Sequence, residues 1–417
     1  MNIVGIIAEY NPFHNGHLYQ LNTVKKVLNP DGIMVILSGN FVQRGEPAVF
    51  DKWARAEMAL NGGADLVIEL PVCFSTATAE IFAESAVKLL LQSGVVSTLS
   101  FGIEEYHEKE LLFLSKLLSK EPISFKIFIN EYLKMGLSFP QARERAVVKY
   151  INANNVNLDV KLISNLLKKP NIILAIEYIK AVNKLGAELS IFPVLRKGHD
   201  YHDKVITEQY ASASGIRHAL FYHDFNDEIR KSLPDSTLRI IKREILHNRI
   251  PVFLQDFETI LLYILRRISP CELAAYFDVG EGLENRIKKA AQVCGDLEKL
   301  ISQIKSKRYT ETRIQRILMH ILLNIPKEII ASRTPQYLRV LGFNQRGTII
   351  LKEINKKTNV PIITRASQYK NLNQIAKAMF EKDLLSTDIY SLAYKEPILR
   401  NGSSDFLRRV IYFNSLK

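Results

Sequence analysis

Cysteine is scarce in this sequence: Cys73, Cys271 and Cys294 are the three in 417 residues. They are odd in number, far apart and without a C-x-x-C pair, which excludes a disulfide framework. A reducing, cytoplasmic location is the expectation. No run approaches 18 uninterrupted apolar residues, so neither a transmembrane helix nor a membrane partner is expected. The opening MNIVGIIAEYNPFHNGH has no basic segment before its short apolar run and does not read as a signal peptide. Internal repeats and low-complexity linkers are missing as well. Hydrophobic residues make up 47% and charged residues 24%, ordinary values that exclude a disordered, collagen-like or coiled-coil chain. The length suits two or three domains at roughly 150 residues each, and nothing points to an obligate protein partner.

Charge is what the chain has in excess. The net is +13, yet residues 1–230 hold 24 basic and 25 acidic side chains, whereas residues 231–417 hold 32 basic and 18 acidic. A near-neutral part joined to a strongly basic one suggests that the second part meets a polyanion, or else presents a solvated basic surface.

Short apolar runs alternate with helical patterns over the first hundred residues. Strands are expected at 3–8, 32–38, 65–70 and 96–101, with helices at 15–28, 51–61 and 78–92. That alternation predicts an α/β fold with a parallel sheet, and the almost continuously apolar strands predict that both faces are covered. Helical periodicity fills 108–186, one further strand candidate lies at 189–195, and a helix starts at Ser214. A domain over 1–230 with a helical insertion at about 108–186 follows, then a mainly α-helical basic domain over 231–417. In that second part only GTIILKEI and VPIITRA read as strands.

The chemistry concentrates after the first strand, in Asn11-Pro12-Phe13-His14-Asn15-Gly16-His17. Carboxyl ends of parallel strands are where open α/β sheets bind ligands, and a helix N-terminus there favours phosphate. Spaced three apart, His14 and His17 are expected on one helix face. As hydrogen-bond donors they suit an α-phosphate and a leaving pyrophosphate. Gly16 is expected to let the nucleotide approach the backbone. A second signal is Ala211-Ser212-Ala213-Ser214-Gly215-Ile216-Arg217, whose hydroxyls, helix start and guanidinium suit further phosphates. Gln43-Arg44-Gly45-Glu46 follows the second strand, and Arg44 is a candidate for a substrate carboxylate, the RNA backbone or a structural role. Glu9 and Asp65 read as structural. His199, Asp200, His202 and Asp203 have metal-ligand types but no standard zinc spacing. No protein-held metal is expected.

The H-x-G-H segment with SASGIR resembles the HxGH nucleotidyltransferases of the HIGH superfamily, which implies a Rossmann-like parallel-sheet domain. SASGIR departs from the ISSTxxR form of that superfamily at Ala213 and Gly215. With EYNPFHNGH, SGNFVQRGEPA, KWARAEMALNGGADLVIELP, PNIILAIEYIKA and RKGHDYHD, the chain is similar to the bacterial tRNA(Met) cytidine acetate ligases. That resemblance implies activation of acetate by ATP as acetyl-adenylate. Transfer of the acetyl group to N4 of the wobble cytidine (C34) of elongator tRNA(Met) would follow, with Mg²⁺ arriving on ATP. The alternative reading is a small-molecule adenylyltransferase that passes AMP to a phosphate metabolite. The basic second part favours the RNA substrate.

By the same resemblance the ATP site takes Ile7, Ala8, Glu9, Tyr10, Asn11, Pro12, Phe13, His14, Asn15, Gly16, His17, Leu18, Tyr19 and Gln20. It further takes Gly102, Asn171, Arg196, Ser212, Ser214 and Arg217, with His14 and His17 catalytic. Gly102 also reads as a turn glycine, Asn171 as a helix cap, Arg196 as a solvated cation and Ser212 or Ser214 as an N-cap.

Overall fold

The computed structural model describes residues 1–197, 211–222 and 226–414. The expected alternation is present. Strand β1 (Ile3–Ala8) leads into helix α1 (Asn15–Leu28), and β2 (Gly32–Ser38) into α2 (Lys52–Asn61). Then come β3 (Leu66–Leu70), α3 (Ala79–Gln92) and β4 (Val96–Ile103). Asp51 caps α2 by accepting the Ala54 N–H at 2.7 Å. Five helices between Glu108 and Lys184, the last being α4 (Pro170–Lys184), form the insertion before β5 (Ser190–Leu195). Helix α5 (Ala213–Phe221) follows.

The part beyond 230 is mainly helical, as expected, and includes α6 (Glu311–Leu322). Its strands fall elsewhere than the sequence indicates. β6 is Leu338–Asn344 and β7 is Ile411–Phe413, whereas GTIILKEI lies inside helix α7 (Gln345–Lys357). The Asn344 side chain starts that helix by accepting the Gly347 N–H at 2.9 Å. Ile350 and Ile354, four apart, are buried while Ile349 is half exposed. The apolar residues thus follow a helical stripe that resembles a β run only when read as a list. VPIITRA retains a two-residue strand, Ile362–Ile363.

All these strands enter one sheet in the order β7-β6-β3-β2-β1-β4-β5, with Ile362–Ile363 beside β6. Its neighbours pair in parallel except β3 with β6. Successive side chains of a strand point to opposite faces. Ile3, Met34, Ile68 and Leu99 accordingly pack into one apolar cluster and Val4, Val35 and Val67 into the other. Val252, Leu318 and Phe380 share the first cluster, so residues on both sides of 230 build a common core. No helix among the described residues is long and apolar enough to cross a membrane.

The return of the chain is fixed by a buried ionic cluster. The Lys52 ammonium donates to both oxygens of Glu69 at 3.0 Å and to Asp405 at 2.8 Å, and all three side chains are essentially inaccessible to solvent. Trp53 Nε1 donates to the other Asp405 oxygen at 3.2 Å. Asp383 accepts from the Val72 N–H at 2.7 Å and from the Tyr337 hydroxyl. A buried carboxylate stripped of its cation is costly, typically by about 3–5 kcal/mol. Lys52→Met should therefore lower stability by about that much in urea unfolding followed by circular dichroism. A loss below about 1 kcal/mol would show that the cluster does not tie the termini together.

Candidate active site

Around the carboxyl ends of β1 and β4 and the N-terminus of α5 lies a cleft of about 360 Å³. Its apolar lining comes from Phe82, Phe101, Ile173, Leu174 and Tyr178, and its polar lining from β1, the turn after it, Asn171, Arg196, Ser214 and Arg217.

The geometry of the two histidines fixes their protonation. His14 is the N-cap of α1, and its Nδ1 accepts the Gly16 N–H at 3.0 Å. His17 sits one turn in, and its Nδ1 accepts the His14 N–H at 3.3 Å. With both Nδ1 atoms accepting, each neutral ring carries its hydrogen on Nε2. The rings stack at 3.7 Å between centroids, which two imidazolium ions would resist. Burial pulls His14 down to about 3, with Arg196 and Arg217 adding to the shift. His17 is held well below its ordinary range by burial, then by His14 and Arg196. Two neutral N–H donors result. His14 Nε2 has no protein partner among the described residues, nor have Tyr10 Oη, Asn11 Nδ2 and Gln20 Nε2, all in residues that line the cleft. A buried donor left unpaired costs about 1–3 kcal/mol, so this set is arranged for an acceptor-rich ligand such as a nucleotide.

Three sequence expectations change in detail. Gly16 makes room for protein: a Cβ there would stand 2.8 Å from His14 Cε1. The Ser212 hydroxyl caps α5, accepting the Gly215 N–H at 3.1 Å, and both Ser212 and Ser214 line the cleft. Asn171 does not cap its helix; its backbone and side-chain N–H groups both donate to Glu104, at 3.0 and 2.9 Å. A Cβ on Gly102 would meet only Arg196, at 3.5 Å or more. Arg217 donates to the Asn11 carbonyl at 3.2 Å and pairs with Glu46 at 3.2 Å, tying α5 to the turn after β1.

Ile7, Ala8, Glu9, Tyr10, Asn11, His14, His17, Gln20 and Arg44 also line the cleft. The lining does not include Pro12, Phe13, Asn15, Gly16, Leu18 or Tyr19. Phe13 is buried in the apolar cluster below, and Asn15 binds the Lys231 and Ser232 carbonyls at 2.7 and 2.9 Å. Tyr19 lies under the Lys197 ammonium at 4.4 Å. Glu9 accepts the Gln43 N–H at 2.9 Å, and burial raises its pKa despite that bond. Asp65 holds Ile33 N and Asn344 Nδ2, both at 2.8 Å, in a structural role. His199, Asp200, His202 and Asp203 lie outside the described residues. Among those described, no group of three or more His, Cys, Asp or Glu could hold a metal, and Glu9 is the one carboxylate lining the cleft. The residues present therefore do not form a metal cage.

Sequence reading missed Thr312 and Arg316 of α6, and the apolar wall of Phe82, Phe101 and Tyr178. The wall gave one faint signal, since Phe82 lies near a helix start and Phe101 near a strand end. Arg316 gave none, because only the fold brings it to β1.

A parallel sheet whose first strand opens on two neutral imidazoles and a second helix N-terminus defines a nucleotide-binding α/β protein. The HIGH Nucleotidyl Transferase family model matches residues 1–405. A tRNA(Met) cytidine acetate ligase of Thermoanaerobacter sp. (strain X514) is 47% identical, covering 99% of this chain and all of that one. Its counterpart from Acetivibrio thermocellus is 40% identical, over 99% of this chain and all of that one. The crystal structure of Thermotoga maritima TmcAL bound with alpha-thio ATP superposes with a TM-score of 0.93 at 35% identity, covering both chains fully. The chain belongs to the HIGH nucleotidyltransferase family and, within it, to the tRNA(Met) cytidine acetate ligases.

The protonation pattern is open to measurement. Nitrogen-15 NMR should show His14 and His17 as neutral Nε2–H tautomers that do not titrate between pH 5 and 8. Titration of either ring near 6.5 would contradict the assignment. The folded-state value of about 3 for His14 lies below its ordinary 6.5, so the unfolded chain binds that proton first. This contribution to stability is complete above 6.5 and is lost as the pH falls toward 3.

Proposed function

We propose that this protein activates acetate with ATP as acetyl-adenylate and transfers the acetyl group to N4 of the wobble cytidine of elongator tRNA(Met). The observation that carries the chemistry is the set of unpartnered donors around His14 and His17, which suits a triphosphate. Acetate is already ionised at neutral pH, so no general base is needed. One carboxylate oxygen attacks the α-phosphorus while the bond to the β-phosphate breaks, and pyrophosphate leaves with the electron pair. The enzyme must place the reactants and stabilise charge on the phosphates. His14, His17, Arg196, Ser214, Arg217 and the N-terminus of α5 supply that stabilisation. Mg²⁺ carried by ATP would supply further neutralisation of phosphate charge, without a ligand set from the described cleft residues. In the second step the cytosine amine attacks the acetyl carbon and AMP departs. A cytoplasmic location follows from the tRNA substrate.

The basic residues beyond 230 supply the surface for the RNA. Arg266 is engaged internally, donating to the carbonyls of Ala291 and Cys294 at 3.0 and 3.1 Å, whereas Arg267 and Arg409 are exposed and make no such bonds among the described residues. Charge reversal at Arg267 or Arg409 should weaken tRNA binding and flatten its salt dependence, while tRNA-independent adenylate formation stays unchanged. Intact affinity and salt slope in the double reversal would move the RNA contact elsewhere.

The decisive assay supplies ATP, radiolabelled acetate and bacterial tRNA. Label in tRNA(Met) supports the reading; ATP consumption without label in tRNA overturns it. His14→Ala and His17→Ala should each cut adenylate formation by about 10²-fold or more, the scale of one donor lost from a preorganised anion site.

A further inference from the structure

Helix α6 lies just over 300 residues from β1 in the chain, yet it forms part of the cleft wall through Thr312 and Arg316. Two contacts outside the cleft fix its place. Gly45 has φ of +79°, and a Cβ there would stand 2.3 Å from the Arg316 backbone nitrogen. The loop after β2 therefore touches the helix backbone at the point where Arg316 leaves it. One turn further on, buried His320 bonds the Thr76 carbonyl through Nε2 at 3.0 Å.

Arg316 is half-buried and makes no hydrogen bond or ion pair among the described residues. The carboxylate nearest it in electrostatic effect, Asp278, is already held by Arg313, which pairs with its side chain at 3.3 Å and its carbonyl at 2.8 Å. A guanidinium desolvated in this way lacks its anion. The loop between residues 43 and 46 shows where it lies relative to the phosphate-binding set. Glu46 pairs with Arg217, and Gly45 abuts the Arg316 backbone, so one loop touches both arginines, and both line the cleft.

We propose that Arg316 binds the acetate carboxylate through the oxygen that does not attack phosphorus, with the Thr312 hydroxyl beside it. The assignment rests on the acetate-activating reading above. Two anions must meet at the α-phosphorus, and a fork-shaped cation on the incoming one lowers their repulsion and orients the attack. That same oxygen becomes the carbonyl oxygen of acetyl-adenylate. When the cytosine amine attacks, the N–C bond forms, the carbonyl oxygen gains negative charge, and the C–O bond to AMP breaks as AMP takes the electron pair. The amine proton passes to water. Arg316 thus serves both steps, first as a carboxylate anchor and then as a donor to the oxyanion. An RNA phosphate would instead be met by fully exposed cations such as Arg267 and Arg409.

The test uses the full-length enzyme and acetate-dependent ATP–pyrophosphate exchange. In Arg316→Gln the KM for acetate should rise about 10-fold or more, while the KM for ATP stays within about twofold. Transfer from preformed acetyl-adenylate to tRNA should slow by about 10²-fold. Arg316→Lys, which keeps the charge but loses the fork, should fall between wild type and Arg316→Gln in acetate KM, and it provides the same readout if the glutamine variant misfolds. An unchanged acetate KM with weakened ATP or tRNA binding overturns the assignment. Wild-type enzyme without acetate-dependent exchange overturns the parent reading instead, so the two failures are distinguishable.

Discussion

Behind the cleft, one buried guanidinium holds the ends of the central strands together. Arg55, in α2, donates to the carbonyls of Glu9 at 2.6 Å, Ser38 at 3.0 Å, Phe50 at 2.9 Å and also Gly39. The carbonyls of Glu9, Ser38 and Gly39 lie where β1 and β2 end and their chains part, and that of Phe50 lies just before α2. Left buried and unpaired, each would cost free energy comparable to a lost hydrogen bond. Five fixed N–H groups on a planar cation can satisfy several diverging carbonyls at once, which an ammonium on a flexible stem does less well. The position of Glu9, and so of the turn carrying His14, depends on this arrangement.

Upon that base the turn can be specialised. Tyr10 takes φ of +47° and packs edge-on against Phe13 and His17, with ring centroids 4.8 Å apart in both cases. The imidazoles stack, and the His14 Nε2–H is left without a protein partner among the described residues in the cleft lining. Neutral donors suit a phosphate ligand, since they can meet its charge without a second buried cation, and Arg196 and Arg217 add cations to the same lining.

Charge along the chain and architecture in space divide the molecule differently. The excess of basic residues begins near 231, yet β6 and β7 belong to the same sheet as β1, and the Lys52–Asp405 pair joins the two ends. Helix α6 carries this further by bringing Arg316 to the wall of a cleft otherwise built from the first 220 residues. The part proposed to grip RNA therefore also contributes to the wall of the cleft.

Local sequence was enough for the first four strands, the helices between them, the insertion and the His14–His17 signal, because each is written in nearest-neighbour periodicity and capping. Asp51 before α2 and Ser212 before α5 behave as their residue types predict. Other features depended on partners far along the chain. Leu338–Asn344 carries an arginine at its second position, and it becomes a strand because Arg339 is buried beside Asp405 and its backbone pairs with β3. Gly347–Ile354 reads as a strand by composition and folds as a helix because Ile350 and Ile354, one turn apart, are buried on one face while Ile349 faces outward. Gly16 looked like space for a nucleotide and proved to be space for an imidazole, a distinction that only three-dimensional contact can make. Arg316 carries no sequence signal at all. Its place in the cleft wall arises from the packing of Gly45 against a helix some 270 residues away, a contact that no local pattern encodes.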